Sequence, residues 1–438
     1  MRGQMPALSA AQQAEPGETR IGPGWIRLSA VTCFSLALGM AINTLEPAVL
    51  GHRLLELVPA QKNTALGLMT FAGLIAASLW QPIIGSVSDR TRSGWGRRIP
   101  FFLIGTPLAI ACLYTIALVP SFALVVLGLL SFQIASNTIQ GPWQALIPDL
   151  VPPRRRGLAS GMKAAFDILG FVLGRRVSGS LVAAGNVSGA VTAAAAVYVL
   201  ALVLTILAAR EDRLAAPTAT PVNITGGLRR AFSIQWRSHP GFIAWFINRF
   251  LFWAGFIALN TFLLFFMIDV VEMGEAEAQR FVGRLSTVIG LGLLLVTIPS
   301  GWLADRLGRR PLVAASGLVA FAGTALILIL RTPSAIIVAG AAIGLAAGTF
   351  LTANWALITD IVPQAEAARY LGLANIASAG GSAAARLAGG LLIDPINRLG
   401  AGPSTGYLAL YALTALAFLV GTVIILHFPQ SVDLDRPS

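Results

Sequence analysis

Lysine is almost missing from this 438-residue chain, which has only Lys62 and Lys163. Charge of every kind is scarce, at 11% Asp, Glu, Lys and Arg against roughly 25% in a typical soluble domain. A chain so poor in charge cannot cover itself with water-facing side chains, which excludes an ordinary soluble protein. The two cysteines, Cys33 and Cys112, fall inside apolar runs, so no disulfide framework is expected. Histidine is rare too: His52, His239 and His427 lie in or beside loops and form no buried relay. No G-x-x-x-x-G-K-[ST] phosphate loop occurs, and neither lysine sits in such a context. Direct use of ATP is therefore not expected, nor is any enzymatic constellation, cofactor or metal site.

What the chain has instead is apolar length: 56% hydrophobic residues and a mean hydropathy of +0.76. A bilayer core of about 30 Å takes roughly 20 apolar residues of helix. Runs of that length centre on residues 26–50, 66–87, 99–119, 122–146, 158–184 and 188–208. They resume at 241–268, 282–303, 311–330, 334–357, 369–393 and 405–427. The expected fold class is an all-α integral membrane protein of about twelve transmembrane helices. The polar start, residues 1–24, lacks a short apolar stretch with a small-residue cleavage site, so the first run reads as an uncleaved helix.

The net charge of +12 would suggest nucleic acid in a soluble protein. Here the arginines sort by loop, so the bilayer is the expected partner and nucleic acid is not. Arg90, Arg92, Arg97, Arg98 and Arg154–Arg156 fall on one side, together with Arg210, Arg213, Arg229, Arg230, Arg237, Arg306, Arg309 and Arg310. The opposite loops are short or acidic, as at Glu272, Glu275 and Glu277. The positive-inside rule puts the arginine side, and with it both termini, in the cytoplasm. The expected location is the inner (cytoplasmic) membrane, multi-pass. The organisation that follows is a tail at 1–24, a six-helix bundle at 25–208, a cytoplasmic linker at 209–240, a second bundle at 241–428 and a tail at 429–438. Pro217, Pro221, Gly226 and Gly227 give the linker its flexible composition.

The two bundles repeat one another. GSVSDR at 85–90 returns as GWLADR at 301–306, with an Arg pair following in both copies. ALIPDLVP at 145–152 returns as ALITDIVP at 356–363. Arg97 matches Arg309 at an offset of 212, and Asp149 matches Asp360 at 211, so the register holds across two separate loops. Transporters are often built from such repeats, with the solute site between them near the bilayer midplane.

Gly301, Asp305, Arg306, Gly308, Arg309 and Arg310 match the G-x-x-x-D-R-x-G-R-R loop of the major facilitator superfamily, which this chain resembles. The lengthened first copy, SDRTRSGWGRRIP at 88–100, is similar to that of the glycoside–pentoside–hexuronide cation symporters and the sucrose–proton symporters. The resemblance covers essentially the whole chain in helix count and repeat, but no run marks any one sugar. It implies a major facilitator fold and a secondary transporter of a small solute, a proton-coupled symporter of a sugar, glycoside or similar polar molecule. An exporter of amphipathic compounds and a non-transporting assembly or sensing protein on the same fold are the alternatives. In the duplicated loops, Asp89, Arg90, Arg97, Arg98, Asp305, Arg306, Arg309 and Arg310 are expected to form a cytoplasmic gate, the aspartates pairing with arginines across the gap between the bundles.

Ionisable side chains within the hydrocarbon cost about 2.5–3.5 kcal/mol or more each, so they mark function by default. Away from helix ends the carboxylates are Glu46 and Asp167, and the cations are Lys163, Arg175, Arg176, Arg249 and Arg386. Counted from Arg156 at about 1.5 Å per residue, Asp167 lies roughly 16 Å into the fifth helix. That puts it near the midplane, four residues from Lys163. Asp167 is thus the expected proton carrier, with Glu46 second because it stands toward the outer end of the first run. Arg386 is the repeat partner of Arg175, and both are expected to face one cavity. Polar stripes at helical spacing mark two walls of a solute path: Gln133, Ser136, Asn137, Gln140 and Gln144 on the fourth helix, and Asn375, Ser378, Ser382 and Arg386 on the eleventh. Asn248 and Arg249 join them from the seventh. Trp143 and Trp355, near helix ends, are expected to anchor at the membrane interface.

Overall fold

The structure, a computed structural model, describes residues 24–209, 240–361, 367–402 and 404–427. Apart from Gly24, Ala209 and Pro240, the expected tails and linker lie outside the described residues. Twelve helices among the described residues are long and apolar enough to cross a membrane. They are α1 (Trp25–Leu57), α2 (Lys62–Arg90), α3 (Ile99–Leu118), α4 (Phe122–Leu150), α5 (Arg156–Ala183) and α6 (Val187–Ala208) in one half. The other half holds α7 (Pro240–Thr261, then Leu263–Asp269 after a one-residue break), α8 (Glu275–Leu307), α9 (Arg309–Ile329), α10 (Pro333–Ile361), α11 (Ala367–Ile396) and α12 (Thr405–His427). Large apolar side chains such as Leu295, Leu79 and Ile104 stand more than half exposed on the outside of the bundle, where a water-soluble protein would place charge. The molecule is a multi-pass membrane protein.

Each half has its own aromatic core. In the first, Phe34 of α1 meets Phe102 of α3 edge-on at 5.2 Å and Tyr198 of α6 at 5.8 Å. In the second, Phe252 of α7 stacks on Phe350 of α10 at 3.7 Å and meets Phe418 of α12 at 5.3 Å. These rings tie helices of one half together and leave the contact between halves to smaller residues. Apolar side chains gain little by leaving lipid, so close backbone packing has to hold that contact. The halves meet along α5–α8 and α2–α11 through glycines. A Cβ at Gly67 would stand 2.4 Å from the Arg386 carbonyl and 2.5 Å from the Gly390 Cα, and one at Gly179 would stand 2.6 Å from the Gln279 carbonyl.

Two local features place the site. Pro47 has no N–H to donate, and its ring would collide with the carbonyl four residues back, so α1 cannot run straight through it. Glu46, the residue before it, accordingly takes an extended conformation at φ −105°, ψ 122° inside a widened turn over Thr44–Val49. The duplicated loops each carry a glycine with positive φ, Gly96 at 96° and Gly308 at 90°, immediately before an Arg pair. Only glycine adopts that conformation without strain, and it turns the chain so that the Arg pair leads into the next helix in the first copy and opens it in the second.

Candidate functional site

A cavity of about 210 Å³ lies at the centre, between the halves. Helix α1 contributes Asn43, Glu46 and Pro47, while α5 contributes Phe171 and Arg175. Helix α7 supplies Phe256 and Asn260, and α11 supplies Arg386. The widened turn of α1 supplies both Asn43, just before it, and Glu46 within it. Glu46 Oε2 pairs with Arg386 Nη2 at 3.3 Å, an ion pair that joins one half to the other. Arg175 crosses the same gap with neutral partners. It donates to Asn43 Oδ1 at 3.2 Å in its own half, and to Asn260 Oδ1 at 3.1 Å and Ser286 Oγ at 3.5 Å in the other. Its guanidinium lies 4.7 Å over the Phe171 ring. The two repeat-related arginines therefore line one cavity.

Beyond this cavity, away from the arginine-rich loops, the halves are latched. Asn63 of α2 donates to Asp394 of α11 at 2.8 Å and to Tyr407 of α12 at 2.8 Å. The Thr64 backbone N–H meets the same carboxylate at 2.7 Å. Tyr407 in turn donates to Asp269 at 2.6 Å, and Asp269 pairs with Lys62 at 2.7 Å. His52 of α1 lies 2.6 Å from Glu275 of α8, and Arg398 donates to the Ala60 carbonyl at 2.9 Å. Toward the arginine-rich end the halves part around a cleft of about 520 Å³, with Gln81, Gly85 and Gln144 on one wall and Asn375 and Ile376 on the other. Among the described residues, the halves are joined by side chains at one end and part around this cleft at the other.

Several expectations change. Glu46 does not stand at the outer interface, because α1 runs on to Leu57 and its turn aims the carboxylate into the cavity. Asp167 is not among the cavity's lining residues. It pairs with Lys163 at 2.7 Å along its own helix and is partly exposed, so half-way depth alone did not bring it to the shared site. Among the described residues, the ion pairs these loop charges form lie within one half. Arg98 bridges Asp89 at 2.6 Å and Asp149 at 3.1 Å, and Arg97 reaches Asp149 at 2.8 Å, all within one half. In the other half Arg309 pairs with Asp360, Arg310 donates to the carbonyls of Ile425 and Leu426, and Arg306 lies over the Trp302 ring. Arg90 is exposed at the end of α2, and Asp305 borders a surface recess with Arg309 and Asp360. The repeated Asp149 and Asp360 are the partners of the repeated arginines.

The polar stripes divide in the same way. On α4, Gln144 reaches the cleft. Ser136 and Asn137 are buried and return their donors to the Gln133 carbonyl, while the Gln133 side chain packs beneath Gly73. Gln140 is half-buried, and Arg176 is exposed. On α11, Asn375 borders the cleft, but Ser378 accepts from Arg249 Nε at 2.8 Å inside its own half. Arg249 is buried there, bonded also to Asn354 Oδ1 at 2.7 Å and packed 4.7 Å over Trp355. Asn248 is buried against α12, donating to the Gly421 carbonyl at 3.0 Å. Trp143 is not an interface anchor: it is 1% exposed, donates to the Val31 carbonyl at 2.8 Å and lies 5.5 Å beneath Lys163 Nζ.

Sequence reasoning missed Asn43, Asn260 and the whole latch between the halves. Asp269 and Asp394 stand near helix ends, so a search for carboxylates in helix middles passes over them. One signal for Asn43 was available, since it is the single amide of its apolar run at 26–50.

Comparison with known proteins agrees with this architecture. The family model described as MFS/sugar transport protein matches residues 57–428. Sucrose transport protein SUT1 of Oryza sativa subsp. japonica is 28% identical over 191 residues, 35% of this chain and 35% of that one. An uncharacterised symporter of Synechocystis sp. is 33% identical over 121 residues, 24% of this chain and 22% of its own. The matches thus span about a third or less of each relative's length. The crystal structure of the nucleoside transporter NupG superposes with a TM-score of 0.71 at 15% identity, covering 93% of this chain and 100% of that one. At that identity the likeness is one of fold.

Proposed function

The chain belongs to the MFS/sugar transport protein family, and on that premise we propose that it moves a sugar-type solute across the cytoplasmic membrane by alternating access, coupled to protons. The observation that carries the reading is the ion pair between Glu46 and Arg386, which joins the two halves at a central cavity with one end latched and the other open. A charged, amide-bearing cavity suits a hydroxylated solute better than a lipophilic one, which favours this reading over export of amphipathic compounds. The names of the sucrose transport and symporter relatives support a sugar and an ion gradient. Glu46 is the proposed proton carrier. The arginine-rich end, with the termini and the linker, is assigned to the cytoplasm on the loop charge bias.

Alternation and orientation are tested together with cysteine pairs in a background lacking Cys33 and Cys112. Spin labels at Ala60 and Leu399 report the latched end, and labels at Trp95 and Leu307 report the open end; all four positions are exposed. We expect the two distances to change in opposite senses when solute or pH is changed. Distances that stay fixed, or move together, contradict alternating access. In intact cells an impermeant thiol reagent should reach Leu399→Cys and not Leu307→Cys; the reverse pattern inverts the assigned orientation.

A further inference from the structure

The tie between α2 and α11 at the latched end depends on one carboxylate. Asp394 of α11 is 6% exposed and accepts at both oxygens, from Asn63 Nδ2 at 2.8 Å and from the Thr64 backbone N–H at 2.7 Å. Thr64 lies in the first turn of α2, where backbone N–H groups have no partner within the helix. Gln61, just before that helix, supplies no side-chain cap. A helix end of one half is thus capped by a side chain of the other, and a carboxylate suits the positive end of the helix dipole. No cation pairs with Asp394 among the described residues. The charged and titratable groups around it are otherwise engaged. Tyr407 of α12 donates to Asp269 at the end of α7, Asp269 pairs with Lys62 of α2, and Arg398 donates to the Ala60 carbonyl. The Asp394 tie consists of hydrogen bonds into a carboxylate, with no salt bridge to hold it once that carboxylate is neutral.

We propose that Asp394 is a second proton-accepting residue of the transport cycle, one that ties the latched end while ionised and releases it when protonated. The proposal rests on the alternating-access reading above and adds a group at which protons act on the gate rather than in the cavity. Protonation places a hydrogen on one carboxylate oxygen and turns that oxygen from acceptor to donor. Facing the Thr64 N–H or the Asn63 amide, a donor then meets a donor. Turning the Asn63 amide over to accept instead would break its bond to the Tyr407 oxygen, whose hydrogen is already given to Asp269. One of the two bonds is lost, and the first turn of α2 loses a negative charge at its positive end. Acid on the latched side loosens the contact through which solute from that side must pass. His52 of α1 answers acid in the opposite sense. It lies 2.6 Å from Glu275 of α8 and 3.3 Å from Glu56, so a charge on it draws α1 toward α8.

The test reads the Ala60–Leu399 spin-label pair in a His52→Gln background lacking Cys33 and Cys112. Purified full-length protein in nanodiscs is taken from neutral pH to about pH 4.5, first without solute and then with sucrose. As pH falls, the ratio of separated to joined molecules should rise by about tenfold to a hundredfold. Asp394→Asn should show the acid ratio already at neutral pH and lose the response. Asp394→Glu, which restores a titrating carboxylate, should recover it. Glu46→Gln should keep the response, since Glu46 lines the cavity and not the latch. Should Asp394→Asn fail to fold, the Glu46→Gln series still decides, because it must open with acid. A response that survives in Asp394→Asn, or is lost in Glu46→Gln, overturns the proposal. A distance that changes with sucrose but not with pH also overturns it and leaves alternating access standing. A distance fixed under both overturns both.

Discussion

Replacing Glu46 by glutamine is expected to abolish uphill accumulation of solute while leaving exchange between pre-loaded and external solute intact. A proton-driven carrier needs a group that gains and loses a proton while it faces each side in turn. Arginine cannot serve, because it stays protonated in proteins. That removes Arg175 and Arg386, and Glu46 is the remaining ionisable residue of the cavity lining. Its position gives protonation a mechanical consequence. Neutralising Glu46 removes one member of the ion pair to Arg386 and with it a polar tie between the halves at the cavity. Glutamine keeps the shape and some hydrogen-bonding capacity but holds the site permanently in the uncharged form. Accumulation ratios should therefore fall to the equilibrium value, and the pH dependence of uptake should flatten. Asp167→Asn is the matched control, since Asp167 is paired with Lys163 outside the cavity lining. We assign the proton to Glu46, so the Asp167 variant should still accumulate solute. The opposite result, normal accumulation in Glu46→Gln and loss in Asp167→Asn, returns the role to the fifth helix.

The second large effect is steric. Gly67→Val should stop transport by preventing the latched end from closing. A side chain at 67 would stand 2.4 Å from one backbone atom of α11 and 2.5 Å from another, and neither can swing aside as a flexible side chain would. Overpacking of this kind typically costs about 1–3 kcal/mol. Placed between two bodies that must separate and rejoin, that penalty falls on the closed arrangement alone. It shifts the conformational equilibrium by about 5-fold to 150-fold. Each half keeps its own aromatic core, so the variant should insert and fold. Gly390→Ala is expected to be milder, because its Cβ would stand 3.0 Å from the Gly67 Cα. Uptake at matched membrane abundance, read beside the spin-label distance at the latched end, checks both. Wild-type transport by Gly67→Val would show that α2 and α11 need not approach so closely in the cycle.

Fold and site were not equally legible in the sequence. Helix number and repeat follow from physics that acts along the chain, because a bilayer sets a run length and a duplication leaves matching loops. The pairing of Arg175 with Arg386 in one cavity followed from the repeat offset and needed no coordinates. What could not be read was the direction of side chains around each helix. Asn137 and Gln144 belong to one stripe on α4, yet one is bonded to its own helix and the other borders the cleft. Asn248 and Arg249 are neighbours in sequence, yet they turn to α12 and α11 respectively. Glu46 was misjudged for a different reason. Depth was counted along an ideal helix, while Pro47 opens a widened turn and α1 continues for ten residues beyond it. The latch between the halves escaped because carboxylates near helix ends are ordinarily solvated. Asp269 and Asp394 are instead enclosed once the halves close over them, and that enclosure is a property of the assembled bundle.

The central claim, that an ion gradient drives a solute through the Glu46–Arg175–Arg386 cavity, is tested most directly with the purified protein in sealed proteoliposomes. Sucrose and glucose uptake are followed with an imposed proton gradient, acidic on the side from which solute enters. The account predicts accumulation of at least one of the two above its external concentration, collapse to equilibrium when a protonophore is added, and no accumulation by Glu46→Gln. Uptake by the wild-type protein that never exceeds equilibrium, or that is indifferent to the protonophore, would contradict it.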